Sequence, residues 1–423
     1  MPPSAEAERR DPYAALRHSD YRFFLTGRLA ASMGSQMIDV AIGWELYERT
    51  NRALALGFVG LVQVVPIILL ALPAGHVADR FDRKRVAMLS LLLLIAGSLS
   101  LAAISFTVAP VPLIYVTLFV IGVALAFHRP AVAALLPQLV PPEKFANAVT
   151  WNSVGWQLAS VIGPALGGLI IAWRHHAGVV YLIDAALMLV FVIHLAQIRG
   201  RQAARAPKAV TIRSLLGGVH FVWQTKVILA AITLDLFAVL FGGATTLLPI
   251  YAKDILHVGP DGFGWLRAAP SIGAVIVAAL MLGRPPMRRA GKSLLVAVAG
   301  FGVATIVFGL SRAFPLSLLM LVLAGGLDMI SVVVRQTLVQ LRTPDEMRGR
   351  VSAVNSVFID TSNELGGFES GASAALFGPI VSVVGGGIVT VLVVIAVAIA
   401  WPELRGMRGL ADDLPQSSPM EAT

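Results

Sequence analysis

Acidic side chains stand inside apolar stretches of this sequence, where the chemistry open to them is the uptake and release of protons and the binding of cations. The densest group is DTSNELGGFESG, residues 360–371, which carries Asp360, Glu364 and Glu369. Asp360 and Glu364 are four residues apart and share one face of a helix, so they would titrate as a coupled pair. Burying a charged carboxylate in apolar surroundings costs free energy, which a cavity or a bonded partner must offset.

The composition identifies the apolar surroundings as a membrane. Hydrophobic residues make up 57% of the 423 residues and charged residues only 13%, and the mean hydropathy is +0.79. Charged residues gather in short clusters separated by apolar runs of about 20 residues, the length that a helix needs to cross the hydrocarbon layer. The sequence therefore predicts an all-α membrane protein.

Twelve apolar windows predict twelve transmembrane helices. They cover residues 22–47, 55–78, 86–107, 111–138, 148–173, 178–198, 227–251, 263–283, 291–311, 314–339, 350–376 and 379–400. The last two windows are nearly continuous, and Gly378-Pro379 is interpreted as the turn between them. A count of eleven spans stays open.

Lysine and arginine residues predict the orientation. With the N-terminus inside, 24 of the 33 Lys and Arg residues fall in cytoplasmic segments and five in outer segments. This distribution follows the positive-inside rule and predicts that both termini are cytoplasmic. It also accounts for the net charge of +9 without a nucleic-acid partner. The polar N-terminus predicts no cleaved signal peptide, and the absence of cysteine excludes disulfides and thiolate metal sites.

An internal repeat predicts two six-helix halves. Pro141-Pro142-Glu143 and Asn152-Ser153 recur as Pro344-Asp345-Glu346 and Asn355-Ser356, in the same order. The predicted regions are an N-terminal tail (1–20), a first half (21–198), a cytoplasmic linker (199–226), a second half (227–400) and a C-terminal tail (401–423). Residues 215–226 of the linker could form an amphipathic helix at the membrane surface.

The loop after the second window carries the first family motif. It reads GHVADRFDRKR, and its Gly75, Asp79, Arg80, Arg83 and Lys84 resemble the G-x-x-x-D-R-x-x-R-K signature of the major facilitator superfamily. The resemblance implies a cytoplasmic gate, in which the aspartate meets the start of the eleventh helix. The positive-inside rule alone also explains the cations, but not the aspartate. The sequence has Asp82 where the family usually has Gly, which leaves the turn geometry open.

A second motif lies in the fifth window, which contains ASVIGPALGG, residues 159–168. Gly163, Pro164, Gly167 and Gly168 resemble the antiporter motif of facilitator exporters, with Ala159 in place of its first Gly. The alternative interpretation is ordinary close packing of small residues between helices. The motif favours export over import.

Longer stretches are similar to one branch of the superfamily. Residues 27–50, 129–168 and 348–371 resemble the branch that includes the enterobactin exporter and the macrolide efflux proteins. This resemblance implies a twelve-helix fold with helices 1, 4, 7 and 10 around a central cavity. It indicates transport but not the substrate.

Charged side chains inside the windows are the candidate functional residues. Those predicted to line the cavity or to couple protons are Arg28, Asp39, Arg129, Asp235, Asp328, Arg335, Asp360 and Glu364. Structural ion pairs between neighbouring helices are the alternative for each of them. Asp184 and His194 fall on the sixth helix, which the fold places at the periphery, and are interpreted as structural or interfacial.

The sequence thus predicts a monomeric, proton-coupled exporter of drug-like molecules or siderophores in a bacterial cytoplasmic membrane. A carboxyl group in apolar surroundings can exchange a proton for a cationic or competing substrate. An importer or a lipid flippase would use the same scaffold, and a membrane sensor or assembly factor is an alternative of another class. No nucleophile-base pair, metal cluster or cofactor loop indicates an enzyme, so no cofactor or metal is predicted.

Overall fold

The apolar windows of the first half fold into six long helices whose ends lie within a few residues of the prediction. The computed structural model describes residues 11–198, 212–242, 244–282 and 289–407. The six helices are α1 (Ser19–Thr50), α2 (Ala53–Arg80), α3 (Arg83–Phe106), α4 (Val111–Leu135), α5 (Phe145–Arg174) and α6 (Gly178–Gln197).

A helix in the predicted linker, α7 (Ile212–Gln224), and a broken helix come next along the chain. The helices that follow α7 are α8 (Lys226–Phe241), the single turn α9 (Leu248–Ile250), α10 (Gly259–Met281), α11 (Ala290–Leu310), α12 (Phe314–Arg342), α13 (Asp345–Phe377), α14 (Pro379–Ala400) and the short α15 (Pro402–Gly406). Gly378 has a φ of +89°, which permits the sharp turn between α13 and α14.

The span predicted over 227–251 is present, but its helix is interrupted. Regular helix ends at Phe241, and the chain continues as a 3-10 turn at Ala244–Leu247, the turn α9 and a π-helical turn at Tyr251–Ile255. Gly242 lowers helix propensity at the break, and Pro249 has no N–H to donate to the preceding turn. Together these pieces still form one candidate span over Lys226–Ile255.

Ten helical segments of the described chain are long and apolar enough to cross a membrane. The two remaining long helices are α1, with 32 residues, and α13, with 33 residues. Charged, small and polar residues lower the hydropathy of both helices. They occupy the first and eleventh predicted positions and complete the twelve-helix arrangement.

The chain divides into two compact units. The first contains residues 1–45 and 62–209, and the second contains residues 46–61 and 210–423. The end of α1 and the start of α2 therefore belong with the second unit. The division into two six-helix halves, residues 21–198 and 227–400, stays a prediction.

In the first unit, α3 packs between α4 and α6, while α5 holds the segment that precedes α1. Asn147 accepts a hydrogen bond from the N–H of Ala15 at 3.0 Å and donates one to the carbonyl of Pro12 at 2.8 Å. The indole N–H of Trp151 donates to the same carbonyl at 2.8 Å. Side chains of α5 thus fix the backbone that enters the first helix.

In the second unit, α11 packs against α12 and α14, and α10 packs against α12. A buried cluster includes Leu234, Leu294, Val334 and Leu338, together with Leu404 of the short α15. The helix α7 packs against α13, as the N-terminal segment packs against α5. The repeated sequences Pro-Pro-Glu and Pro-Asp-Glu mark the starts of α5 and α13, so each half secures its entering segment on the equivalent helix.

Candidate functional site

Two helices of the second unit bring opposite charges together in a buried position. Asp235 lies on α8 and Arg335 on α12, and Nη2 of Arg335 is 3.1 Å from Oδ1 of Asp235. Their exposed fractions are 6% for Asp235 and 3% for Arg335. Nη1 of Arg335 also donates to Oδ1 of Asn355 on α13 at 3.2 Å. The guanidinium therefore joins three helices.

A second carboxyl group lies beside this pair. Asp328, two turns before Arg335 on α12, lines a small cavity, about the size of one water molecule, together with Asp235, Phe301 and Ser331. We call Asp235, Asp328 and Arg335 the buried ion cluster. It contains two carboxyl groups and one guanidinium, so one bound proton makes it electrically neutral. The sequence analysis named all three residues but missed Asn355, for which only the repeated Asn-Ser was a signal.

Three of the predicted cavity residues lie on α1 and α4 of the first unit. Arg28 is half-buried on α1, with its Cζ 5.8 Å from the ring centre of Phe24. Asp39 is exposed further along α1, and Arg129 is exposed on α4. All three residues belong to the first unit.

Two buried polar contacts of the first unit connect α6 with α3 and with α1. Asp184 on α6 is fully buried and accepts a hydrogen bond from Ser98 Oγ of α3 at 2.6 Å. The hydroxyl of Tyr181 on α6 donates to Oε2 of Glu45 on α1 at 2.9 Å. Sequence analysis placed Asp184 on a peripheral helix, and the structure gives it a fully buried position.

Glu364 on α13 packs against the start of α2. A methyl group at Gly60 would overlap Oε2 of Glu364, and the rings of Phe58 and Phe368 are 5.5 Å apart. A methyl group at Gly371 would lie 2.7 Å from the Cα of Gly57. We call this contact the α2–α13 crossing. The side chain of Asp360, the predicted partner of Glu364, lies outside the described part of the structure.

Polar contacts accompany the crossing at the end of α1. The hydroxyl of Tyr47 donates to the carboxylate of Asp254. Nζ of Lys253 donates to Oδ1 of Asn51 at 3.0 Å and lies 5.4 Å from the ring centre of Tyr47. Residues 46–61 therefore attach to the second unit through hydrogen bonds as well as through glycine contacts.

The predicted gate loop forms the start of α3. Oδ1 of Asp82 accepts a hydrogen bond from the N–H of Arg85 at 2.9 Å, so Asp82 is the N-cap of α3. This explains how a residue other than Gly is accommodated in the motif. Gly75 and the exposed Arg80 belong to the last turns of α2, and the side chain of Asp79 lies outside the described part.

The loop cations bind the ends of neighbouring helices. Nζ of Lys84 donates to the carbonyls of Ala196 at 3.0 Å and Ile198 at 2.8 Å, where α6 ends. Nη1 of Arg83 donates to the carbonyl of Ala134 near the end of α4 at 3.4 Å. Cations at helix C-termini satisfy free carbonyls and interact favourably with the helix dipole. In the described structure, these two side chains therefore hold α3 against α4 and α6.

We expect Lys84→Met to lower the free energy of unfolding by about 1 kcal/mol, because two charge-assisted hydrogen bonds at a partly exposed site are lost. Thermal unfolding of the purified protein in detergent would measure the change, with Lys84→Arg as the control that keeps the charge. A variant of unchanged stability that has lost transport would contradict this structural role and favour the gate role.

The antiporter motif packs against α1. A methyl group at Gly163 would lie 2.6 Å from Cβ of Gln36, and one at Gly167 would lie 3.0 Å from the carbonyl oxygen of Met37. Pro164 and Gly168 are buried on the same helix. The small residues thus permit the close approach of α5 to α1 that both interpretations of the motif require.

A family model confirms the resemblance noted in the sequence. The model described as "transmembrane secretion effector" matches residues 10–418. The chain belongs to this family. The family is a branch of the major facilitator superfamily, and its curated members among the relatives below are transporters rather than enzymes.

Curated relatives place the family among exporters. The enterobactin exporter EntS of Citrobacter koseri is 25% identical over 397 residues, which cover 92% of this chain and 94% of that protein. The multidrug efflux pump Tap of Mycolicibacterium fortuitum is 27% identical over 361 residues, covering 81% and 86% of the two chains. The chain is therefore similar to exporters over most of its length.

Solved structures share the fold of the family. A POT family transporter in complex with 5-aminolevulinic acid aligns with a TM-score of 0.71 at 12% identity, over 91% of this chain and 96% of that chain. A D-xylose–proton symporter aligns with a TM-score of 0.68 at 14% identity, over 90% and 96%. These alignments confirm the prediction of an all-α facilitator fold.

Proposed function

We propose that this transporter exports small organic molecules in exchange for protons across a bacterial cytoplasmic membrane. The observation that carries the proposal is the buried ion cluster, in which two carboxyl groups share one guanidinium beside a cavity. Membership of a family with exporters among its members supports the direction. The names of the relatives point to drug-like compounds and to siderophores as the two substrate classes to test first.

The ion cluster offers a simple coupling mechanism. With one proton bound the cluster is neutral, and without it the cluster carries one net negative charge in apolar surroundings. A cationic substrate compensates this charge, and a proton compensates it equally well, so the two compete. Asp328 is the proton carrier that we propose, because Asp235 is directly paired with Arg335 at 3.1 Å.

Competition between the proton and the substrate drives transport if the cluster is accessible from only one side of the membrane at a time. We infer that the two predicted halves, 21–198 and 227–400, rock against each other for this purpose, with both termini cytoplasmic and the protein acting as a monomer. Glu364, Asp360, Asp39, Arg28 and Arg129 stay candidates for additional cavity or coupling residues.

Transport by purified protein in liposomes tests the proposal. Ethidium serves as the drug-like probe and enterobactin as the siderophore probe, and a pH gradient is imposed across the membrane. We expect the wild type to accumulate at least one of them against its concentration gradient. Asp328→Asn is expected to reduce this accumulation by about tenfold or more, because one carboxyl group of the cluster can no longer release a proton.

A surface acid provides the matched control. Glu403 forms a half-exposed ion pair with Lys226 at 3.5 Å, and Glu403→Gln removes one negative charge outside the cluster. We expect it to transport like the wild type. Flux of both probes that does not depend on the pH gradient would refute proton coupling. A fully active Asp328→Asn variant would show that Asp328 is not the proton carrier.

A further inference from the structure

A carboxyl group outside the buried ion cluster has the geometry of a second proton-binding residue. Asp184 is 0% exposed, on the face of α6 that meets α1 and α3. Its Oδ2 accepts a hydrogen bond from the hydroxyl of Ser98, whereas its Oδ1 has no hydrogen-bond partner among the described residues. No lysine, arginine or histidine of the described chain forms a salt bridge with it. An ionised carboxylate in this position would leave a buried charge without a counter-ion.

The contact with α1 depends on a glycine. A methyl group at Gly34 would overlap Oδ1 of Asp184. The free oxygen therefore faces the backbone of α1, and any larger residue at position 34 would displace it. A local shift of α1 relative to α6, within the first half, would give Oδ1 access to water.

Ser98 can form a hydrogen bond with the carboxyl group of Asp184 in both of its protonation states. Its Oγ lies 2.6 Å from Oδ2 of Asp184 and 3.2 Å from the carbonyl oxygen of Leu94, but a hydroxyl has only one hydrogen to donate. When Asp184 is ionised, Ser98 donates to Oδ2. When Asp184 carries the proton on Oδ2, the carboxyl group donates to Ser98, and Ser98 donates to Leu94. Rotation of one hydroxyl thus accommodates the gain or loss of a proton.

Charged groups lie on all three helices around Asp184, and among them Arg28 of α1 precedes Gly34 by six residues, about 9 Å along the helix. From α1, Asp39 is near enough for its negative charge to act on Asp184. Glu45 lies further along α1 and is bonded to Tyr181. On α6 the next titratable group after Asp184 is His194, about 15 Å along the helix, and the cations of α3 lie about 20 Å away at its start.

We propose that Asp184 binds and releases a proton during the transport cycle, with Ser98 as its positioning residue. This inference rests on the proposed proton coupling and adds a coupling residue in the first unit to the cluster of the second. The proton comes from water and returns to water as α1 moves, and no other bond changes.

Two transport assays on Asp184→Asn separate a coupling role from a structural one. The first is accumulation driven by a pH gradient, and the second is exchange of labelled for unlabelled substrate at equal pH, which needs no net proton movement. With the probe that the wild type transports, we expect Asp184→Asn to lose about tenfold or more of the driven accumulation while exchange stays within about threefold of the wild type. Loss of both activities by a folded variant, or loss of neither, would overturn the proposal.

Ser98→Ala gives an independent test should Asp184→Asn fail to fold. It keeps the carboxyl group but removes the hydroxyl that supports both states. We expect the midpoint of the pH dependence of driven transport to shift by about 0.5 unit or more. An unchanged midpoint would overturn the role of the pair. A wild type without any pH-driven accumulation would refute the proposed function itself, which is a different outcome from an active wild type with an equally active Asp184→Asn.

Discussion

Arg335→Met is expected to lower the free energy of unfolding by about 3–5 kcal/mol, which is the usual cost of leaving one partner of a buried ion pair alone. The substitution removes the counter-ion of Asp235 at 3.1 Å and the donor to Asn355 at 3.2 Å. Two carboxyl groups would then share a cavity without a cation. Thermal and denaturant unfolding in detergent would measure the loss.

Two further variants test the physical reason. Asp235→Asn should cost less than Arg335→Met, because the charge of Asp328 still acts on Arg335. The double variant Asp235→Leu with Arg335→Met removes the pair together and should recover most of the lost stability, since apolar replacements of buried ion pairs are often tolerated. We expect the double variant to stay inactive in pH-driven transport. Equal losses from both single substitutions would contradict the shared-cation arrangement.

Gly371→Val is expected to abolish transport and to disturb the α2–α13 crossing. A Cβ at this position would lie 2.7 Å from Cα and 2.8 Å from N of Gly57, and 3.0 Å from the carbonyl oxygen of Ala53. All three atoms belong to the backbone, so no side-chain rotation can relieve the overlap. Overpacking of this kind costs about 1–3 kcal/mol and shifts the backbone. Conformations in which this crossing is closed would be selectively destabilised.

The absence of cysteine makes the effect measurable. A single cysteine at position 58 would be the sole thiol of the chain, and its rate of labelling by a membrane-impermeant thiol reagent reports the opening of the crossing. We expect faster labelling in the Gly371→Val background. Gly385→Val is the matched control, because a Cβ at Gly385 has nothing within 4 Å. Identical labelling rates in all three backgrounds would contradict the steric argument.

The sequence predicted the helices well because membrane spans are determined by length and apolarity, which a single chain displays directly. The turn at Gly378 could be predicted because Gly and Pro act locally, whereas α13 begins at Asp345, five residues before the predicted window. The break after Phe241 was missed because Leu247, Leu248 and Ile250 keep the hydropathy high. A window average does not register how Gly242 and Pro249 affect individual hydrogen bonds.

The candidate site was harder to predict because its geometry depends on which helices are neighbours. The sequence named Asp235, Asp328 and Arg335 but gave no distances, and it could not show that Arg335 also reaches Asn355. Lys84 and Arg83 matched a gate motif, while their contacts with the ends of α6 and α4 could not be predicted from the sequence. The burial of Asp184 against Ser98 depends on contacts between α6 and α3, which are distant in sequence.

The polar contacts of α1 with α6 have a consequence for the biosynthesis of the protein. The described α1 is not among the ten segments that are apolar enough to span a membrane by composition, and its Glu45 is covered by Tyr181 of α6. At roughly 5–20 residues per second, the ribosome makes α6 on the order of ten seconds after α1. During this interval Glu45 of α1 lacks the hydroxyl of Tyr181, so the insertion machinery must shelter the helix until the sixth one emerges.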